Sequence, residues 1–209
     1  MQQILDFFLH LDKNLELIMM HYQTLTYLIL CFIIFCETGL VATPFLPGDS
    51  LLFAAGAITA KTGILNVWIL IPLLFISAIL GDNVNYFIGR NIGLKVFEKF
   101  KFIKKDYLTR TEDFYAKHGG KTIILARFVP IVRTFAPFVA GLGKMDYKRY
   151  ISFCIAGGIL WVNLLTLAGY FFGNLEFVRK NFELVIFAII GISLLPVFFQ
   201  FAQNYIKRT

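Results

Sequence analysis

Five charged residues interrupt stretches that are otherwise apolar: Glu37, Asp49, Asp82, Arg127 and Arg133. A charge held away from water is costly, so each needs a partner, a task or both. Arg127 and Arg133 stand on either side of Pro130, so a break there lets the two guanidinium groups approach one point from different helical segments. A guanidinium is a planar fork of donors that stays charged when partly desolvated, which suits it to phosphate. Helix ends freed by the break add backbone N–H groups that also favour anions. Glu37, Asp49 and Asp82 supply the opposite sign, and a carboxyl group beside an arginine can take up or release a proton as that arginine gains or loses an anion. The set reads as two phosphate-binding arginines with three proton-coupling acids, Glu37 and Asp49 facing Arg127 and Arg133. Two plainer readings stand beside it. The charges form ion pairs that only hold the fold together, or Asp82, close to Asn83 and Asn85, marks the polar end of a helix.

Other chemistry finds no support. Gly119-Gly120-Lys121-Thr122 resembles the tail of a phosphate-binding loop, but Tyr115 stands where the first glycine is required. His10, His21 and His118 have no second ligand at metal spacing, and Cys31, Cys36 and Cys154 form no CxxC or Cys/His pattern. With neither a nucleophile beside its base nor a catalytic carboxylate pair, no enzyme, metal or cofactor is expected.

Hydropathy sets the elements that must position these residues. Of 209 residues 58% are hydrophobic, 24 of them Phe, and the mean hydropathy is +0.71, beyond what a soluble domain can bury. Apolar runs at Leu17–Cys36, Thr62–Gly81, Ile151–Leu175 and Leu184–Ile206 each reach the roughly 20 residues of a spanning helix. The net charge of +7 gathers beside these runs: from Arg90 to Lys121, nine Lys and Arg stand against four acids. That excess places the connector and both termini on the cytoplasmic side, and it suits anionic lipid rather than nucleic acid.

Two further segments are apolar enough to enter the bilayer but are broken, 38–60 by Pro44, Pro47 and Gly48, and 121–143 by Pro130 and Pro137. Proline removes a backbone donor and stops a helix, so each is expected to be a re-entrant helical hairpin, the first entering from outside and the second from the cytoplasm. Short internal matches link the halves: Phe45-Leu46-Pro47 with Phe128-Val129-Pro130, Ala54 to Ala57 with Ala140-Gly141, and Gly89 to Gly93 with Gly169 to Gly173. The expected fold is an all-α polytopic membrane protein of about four transmembrane helices plus two opposed re-entrant hairpins in an inverted repeat. It forms one membrane domain over 1–209: a first repeat at 15–93, an amphipathic cytoplasmic connector at 94–120, a second repeat at 121–173 and a C-terminal transmembrane helix at 184–206.

Glu37-Thr-Gly, Pro-Phe-Leu-Pro-Gly-Asp-Ser at 44–50, Ala-Arg-Phe-Val-Pro-Ile-Val-Arg-Thr at 126–134 and Ala-Gly at 140–141 resemble the DedA family of bacterial membrane proteins. The likeness runs from about Leu15 to Gly173. It implies an inner-membrane protein with two re-entrant helices, in a superfamily that includes lipid scramblases of eukaryotic internal membranes. It also implies movement of undecaprenyl phosphate or, in other members, phosphatidylethanolamine, with dependence on the proton motive force in some. The family's functional acids carry over to Glu37 and Asp49, and its functional arginines to Arg127 and Arg133.

These readings give an expected lipid translocase of the flippase or scramblase kind in the bacterial cytoplasmic membrane, supporting envelope homeostasis. Its expected partners are phosphate-headgroup lipids and protons, with self-association left open. The alternatives are a proton-coupled transporter of small cations or drugs and a structural membrane protein without substrate. Cysteines introduced at positions 105, 176 and 207 check the topology. A membrane-impermeant maleimide should reach position 176 from outside, and 105 and 207 only after the membrane is opened. Labelling of position 105 in intact cells would overturn the assignment.

Overall fold

The computed structural model describes residues 24–40, 48–99 and 120–173, together with 175, 176 and 178. All regular structure among them is helical: α1 (Leu25–Gly39), α2 (Gly48–Thr62), α3 (Val67–Lys99), α4 (Lys121–Ala126), α5 (Pro130–Leu142) and α6 (Tyr147–Phe172). The expected breaks at Pro44 and Pro47, most of the connector, and the helix at 184–206 lie outside the described residues.

Local chemistry explains the boundaries. α2 begins at Gly48, with Asp49 in its first turn where a negative charge complements the helix dipole. It ends in Gly63, whose φ of +64° is the left-handed conformation that a glycine adopts without strain. The Asn66 side chain then accepts a hydrogen bond from the Trp68 N–H at 2.9 Å and caps α3. α3 therefore starts at Val67 rather than Thr62, and it continues past Gly81 and Asp82 to Lys99. Between α4 and α5 the chain breaks at Arg127 to Val129: Val129 is extended (φ −119°, ψ 106°), and Pro130 is the first residue of α5, where its missing N–H costs nothing. Pro137, expected as a second break, instead lies inside α5. The helix continues through it, with the Arg133 carbonyl, four residues back, as the group that loses its intrahelical donor.

The pattern of exposure is the reverse of a water-soluble protein. Large apolar side chains face outward, with Leu28 66% and Trp68 71% exposed, whereas Glu37, Asp82, Arg127 and Arg133 are buried. Val67–Asn91 and Tyr147–Phe172 are each long and apolar enough to cross a membrane.

The chain packs as two compact units. The first takes its described residues from Met1–Ile33, Pro47–Phe75 and Trp161–Thr209, the second from Ile34–Leu46 and Ile76–Leu160. Within the first, α2 meets α6 backbone to backbone. A Cβ on Gly56 would lie 2.1 Å from the Thr166 carbonyl oxygen and 2.9 Å from the Tyr170 nitrogen, and one on Gly169 would lie 1.9 Å from the Phe53 carbonyl oxygen. Within the second, α5 meets α3 in the same way. A Cβ on Gly141 would lie 2.0 Å from the Tyr86 carbonyl oxygen and 2.9 Å from the Arg90 nitrogen, and one on Gly89 would lie 2.1 Å from the Phe138 carbonyl oxygen. Each unit thus uses one Phe-x-x-Gly segment, Phe53 to Gly56 or Phe138 to Gly141, in a reciprocal contact.

Because backbone cannot move aside, Gly56→Leu and Gly141→Leu should each destabilise the protein by about 3 kcal/mol or more. Gly63→Ala, in open space but at positive φ, should cost only about 1–2 kcal/mol. Thermal unfolding of purified protein in detergent checks both. Equal, small losses at Gly56, Gly141 and Gly63 would contradict the close contacts.

Candidate functional site

The second unit gathers four of the five charges singled out in the sequence. Arg133, on α5 one turn beyond the Val129 break, donates from Nη2 to Glu37 Oε1 at the end of α1. Both side chains are buried, 3% and 1% exposed. Arg127, the residue that closes α4, donates from Nη2 to Asp82 Oδ2 on α3. Those side chains are 3% and 4% exposed. Placing a bare ion away from water costs several kcal/mol, and only a paired and hydrogen-bonded arrangement recovers it. Each arginine has therefore a carboxylate of its own, and the two pairs are drawn from four different helices.

The surroundings of Asp82 and Arg127 are built for this pairing. Gly157 on α6 leaves room for the Arg127 stem, since a Cβ there would lie 3.0 Å from Arg127 Cδ. Cys154, also on α6 and buried, places its sulfur 3.3 Å from Asp82 Oδ2 and 3.4 Å from Arg127 Nη2. The Tyr150 hydroxyl donates to the Asp82 backbone carbonyl at 2.9 Å. Its ring stacks on Tyr86 with centroids 4.3 Å apart, and the Tyr86 hydroxyl donates to the Met145 carbonyl at 2.6 Å.

The Glu37 and Arg133 pair is framed by backbone contacts. α1 passes α3 at glycine: a Cβ on Gly81 would lie 2.0 Å from Thr38 Oγ1 and 2.8 Å from the Phe35 carbonyl oxygen. Thr38 itself donates to the Ile34 carbonyl at 2.9 Å, which satisfies its hydroxyl within α1. Asn85 on α3 donates from Nδ2 to the carbonyls of Thr38 and Thr134, at 3.0 and 2.6 Å.

Asp49 belongs to the first unit. There it accepts a hydrogen bond from Trp161 Nε1 at 2.8 Å, and Trp161 is buried. Within the second unit the structure bonds Glu37 to Arg133 and Asp82 to Arg127, so Asp82 joins Glu37 as a carboxylate held by an arginine. Asp82 is no helix end, because α3 runs on through it to Lys99. Sequence reasoning gave no site role to Asn85, Cys154, Tyr150 or Trp161. For Asn85 a signal existed, an amide within an apolar run, whereas Cys154, Tyr150 and Trp161 are ordinary membrane-helix residues in isolation.

Chemically, the site offers two guanidinium forks whose carboxylate partners can be exchanged for another oxyanion, and two carboxyl groups that can be protonated once released. No cluster of three or more His, Cys, Asp or Glu suited to a metal occurs among the described residues.

Comparison with known proteins places this arrangement. Residues 46–171 match the family described as the VTT domain. The chain is 54% identical over 196 residues to Protein DedA of Escherichia coli K12, covering 92% of this chain and 90% of that protein. It is 49% identical over 175 residues to an uncharacterized membrane protein of Mycobacterium leprae, covering 83% of this chain and 78% of that one. It is 37% identical over 150 residues to the inner membrane protein YqjA of Escherichia coli K12, covering 71% of this chain and 68% of YqjA. No solved structure matches the chain. The apolar exterior, the buried charges and these likenesses agree: the chain belongs to the DedA family of membrane proteins and carries a VTT domain.

Proposed function

We propose that the protein moves lipids with a phosphate-bearing headgroup between the leaflets of a bacterial cytoplasmic membrane, in a manner linked to proton movement. The observation that carries this reading is the pair of buried arginines flanking the Arg127 to Val129 break, each held by a carboxylate. A phosphate can replace the carboxylate on the same planar fork, and the displaced carboxyl can then take a proton. Arg127 and Arg133 thus bind the headgroup, while Glu37 and Asp82 exchange protons as the arginines change partner. Asp49 serves the same coupling from the first unit, where Trp161 holds it. The lipid tails remain in the bilayer against the apolar exteriors of α1, α3 and α6. No bond is made or broken, so the protein acts as a carrier and not as an enzyme, with lipids and protons as its partners.

The finer architecture belongs to the same proposal. The two Pro-broken segments are re-entrant hairpins entering from opposite faces, and the halves form an inverted repeat. The reciprocal glycine contact in each unit and the break at Pro130 support this. The inner-membrane location is supported by the name of the relative YqjA, and the cytoplasmic termini by the flanking Lys and Arg.

Reconstitution into vesicles tests the reading. The protein should speed the leaflet exchange of labelled undecaprenyl phosphate or phosphatidylethanolamine above that of protein-free vesicles. Arg127→Lys and Arg133→Lys should each lower the rate at least about tenfold, equivalent to about 1.4 kcal/mol of lost stabilisation. Exchange no faster than in empty vesicles, at any proton gradient, defeats the proposal. Full activity of both lysine variants in moving a small cation would put a cation transporter in its place.

A further inference from the structure

Asn85 is fully buried on α3, three residues after Asp82, so the two lie on one face of the helix. Its amide nitrogen reaches two carbonyls that belong to different helices, Thr38 on α1 at 3.0 Å and Thr134 on α5 at 2.6 Å. These are the residues that directly follow Glu37 and Arg133. One side chain therefore ties together the two backbones whose neighbouring side chains form an ion pair, and it does so from a helix that carries neither partner. The contact at Gly81 also seats α1 on α3, but it holds only that arm. The amide oxygen of Asn85 is buried and accepts no hydrogen bond among the described residues. Leucine would fill a similar volume without leaving a costly buried acceptor, so space-filling does not account for an amide here.

We propose that Asn85 is the positioning residue of the Glu37 and Arg133 pair. It fixes the separation between the end of α1 and the start of α5 at which carboxylate and guanidinium meet. By doing so it governs how readily Arg133 leaves Glu37 for a phosphate, a consequence that rests on the lipid-phosphate reading above.

The full chain in detergent tests the first part independently of transport, through double-mutant cycles read by thermal unfolding. Asn85→Leu combined with Glu37→Gln should lower Tm by at least about 4 °C less than the sum of the single losses, whereas Asn85→Leu with Gly63→Ala, where an added Cβ meets nothing within 4 Å, should be additive within about 1 °C. Additivity in both cycles overturns the proposal. If Asn85→Leu yields no folded protein, Asn85→Ser enters the same cycles with the same criteria. In phosphatidylethanolamine vesicles containing labelled undecaprenyl phosphate, Asn85→Leu should raise the half-saturating lipid concentration at least about fivefold while changing the maximal rate by less than about twofold. An unchanged half-saturation, with a rate that falls only with the amount of folded protein, marks a purely structural residue and also overturns it. If the unaltered protein moves no lipid, the transport reading has failed, and the thermal cycles still decide whether Asn85 positions the pair.

Discussion

A guanidinium cannot shed its charge in a protein, so an arginine taken out of water must bring an anion with it. That constraint organises the second unit. Arg127 and Arg133 are both buried, and the carboxylates that receive them come from α3 and α1. The demands converge on one short stretch of α3, from Gly81 to Tyr86. Gly81 admits α1, Asp82 takes Arg127, and the Asn83 side chain accepts from the Tyr147 hydroxyl at 2.9 Å. Asn85 ties α1 to α5, and Tyr86 reaches the turn before α6. A polar stretch in the middle of an otherwise apolar helix is therefore the element on which α1, α4, α5 and α6 are aligned.

The glycine contacts meet a different requirement. In a lipid environment apolar side chains gain nothing by leaving lipid for one another, so association must come from close backbone approach and from polar contacts. The two units obtain the first with the same device, a glycine of one helix lying on a carbonyl of another, and reciprocally so. Polar contacts accompany it in both, Trp161 with Asp49 in the first unit and the two ion pairs in the second.

Much of this was legible in the sequence, but unevenly. The intramembrane charges stand out because charge in an apolar run is rare and costly, and the Val129 break is foreshadowed by Pro130. Which acid meets which arginine is not written locally: the partners are 45 and 96 residues apart, and a pairing at that distance depends on helix rotation and crossing. Asp49 was expected beside the arginines on grounds of sign and presumed depth. Within the first unit it accepts from the Trp161 indole, a neutral donor that charge reasoning does not look for. Pro137 read as a break because proline breaks isolated helices, whereas α5 continues through it to Leu142. Asn85 was read as part of a helix end because apolar content falls there, although the helix runs on for more than ten residues.

The chain order of the ion pairs bears on how such a protein is made. Synthesis proceeds from the N-terminus, so Glu37 exists 96 residues before Arg133, and Asp82 exists 45 residues before Arg127. At roughly 5–20 residues per second, the longer interval is on the order of 5–20 s. Throughout that time the acids must wait in the membrane without their arginines. A carboxyl group can do so as a neutral acid by holding a proton, an option closed to a guanidinium. Acid first and base last is thus the order in which a ribosome can deliver these charges without ever leaving a bare cation in the bilayer.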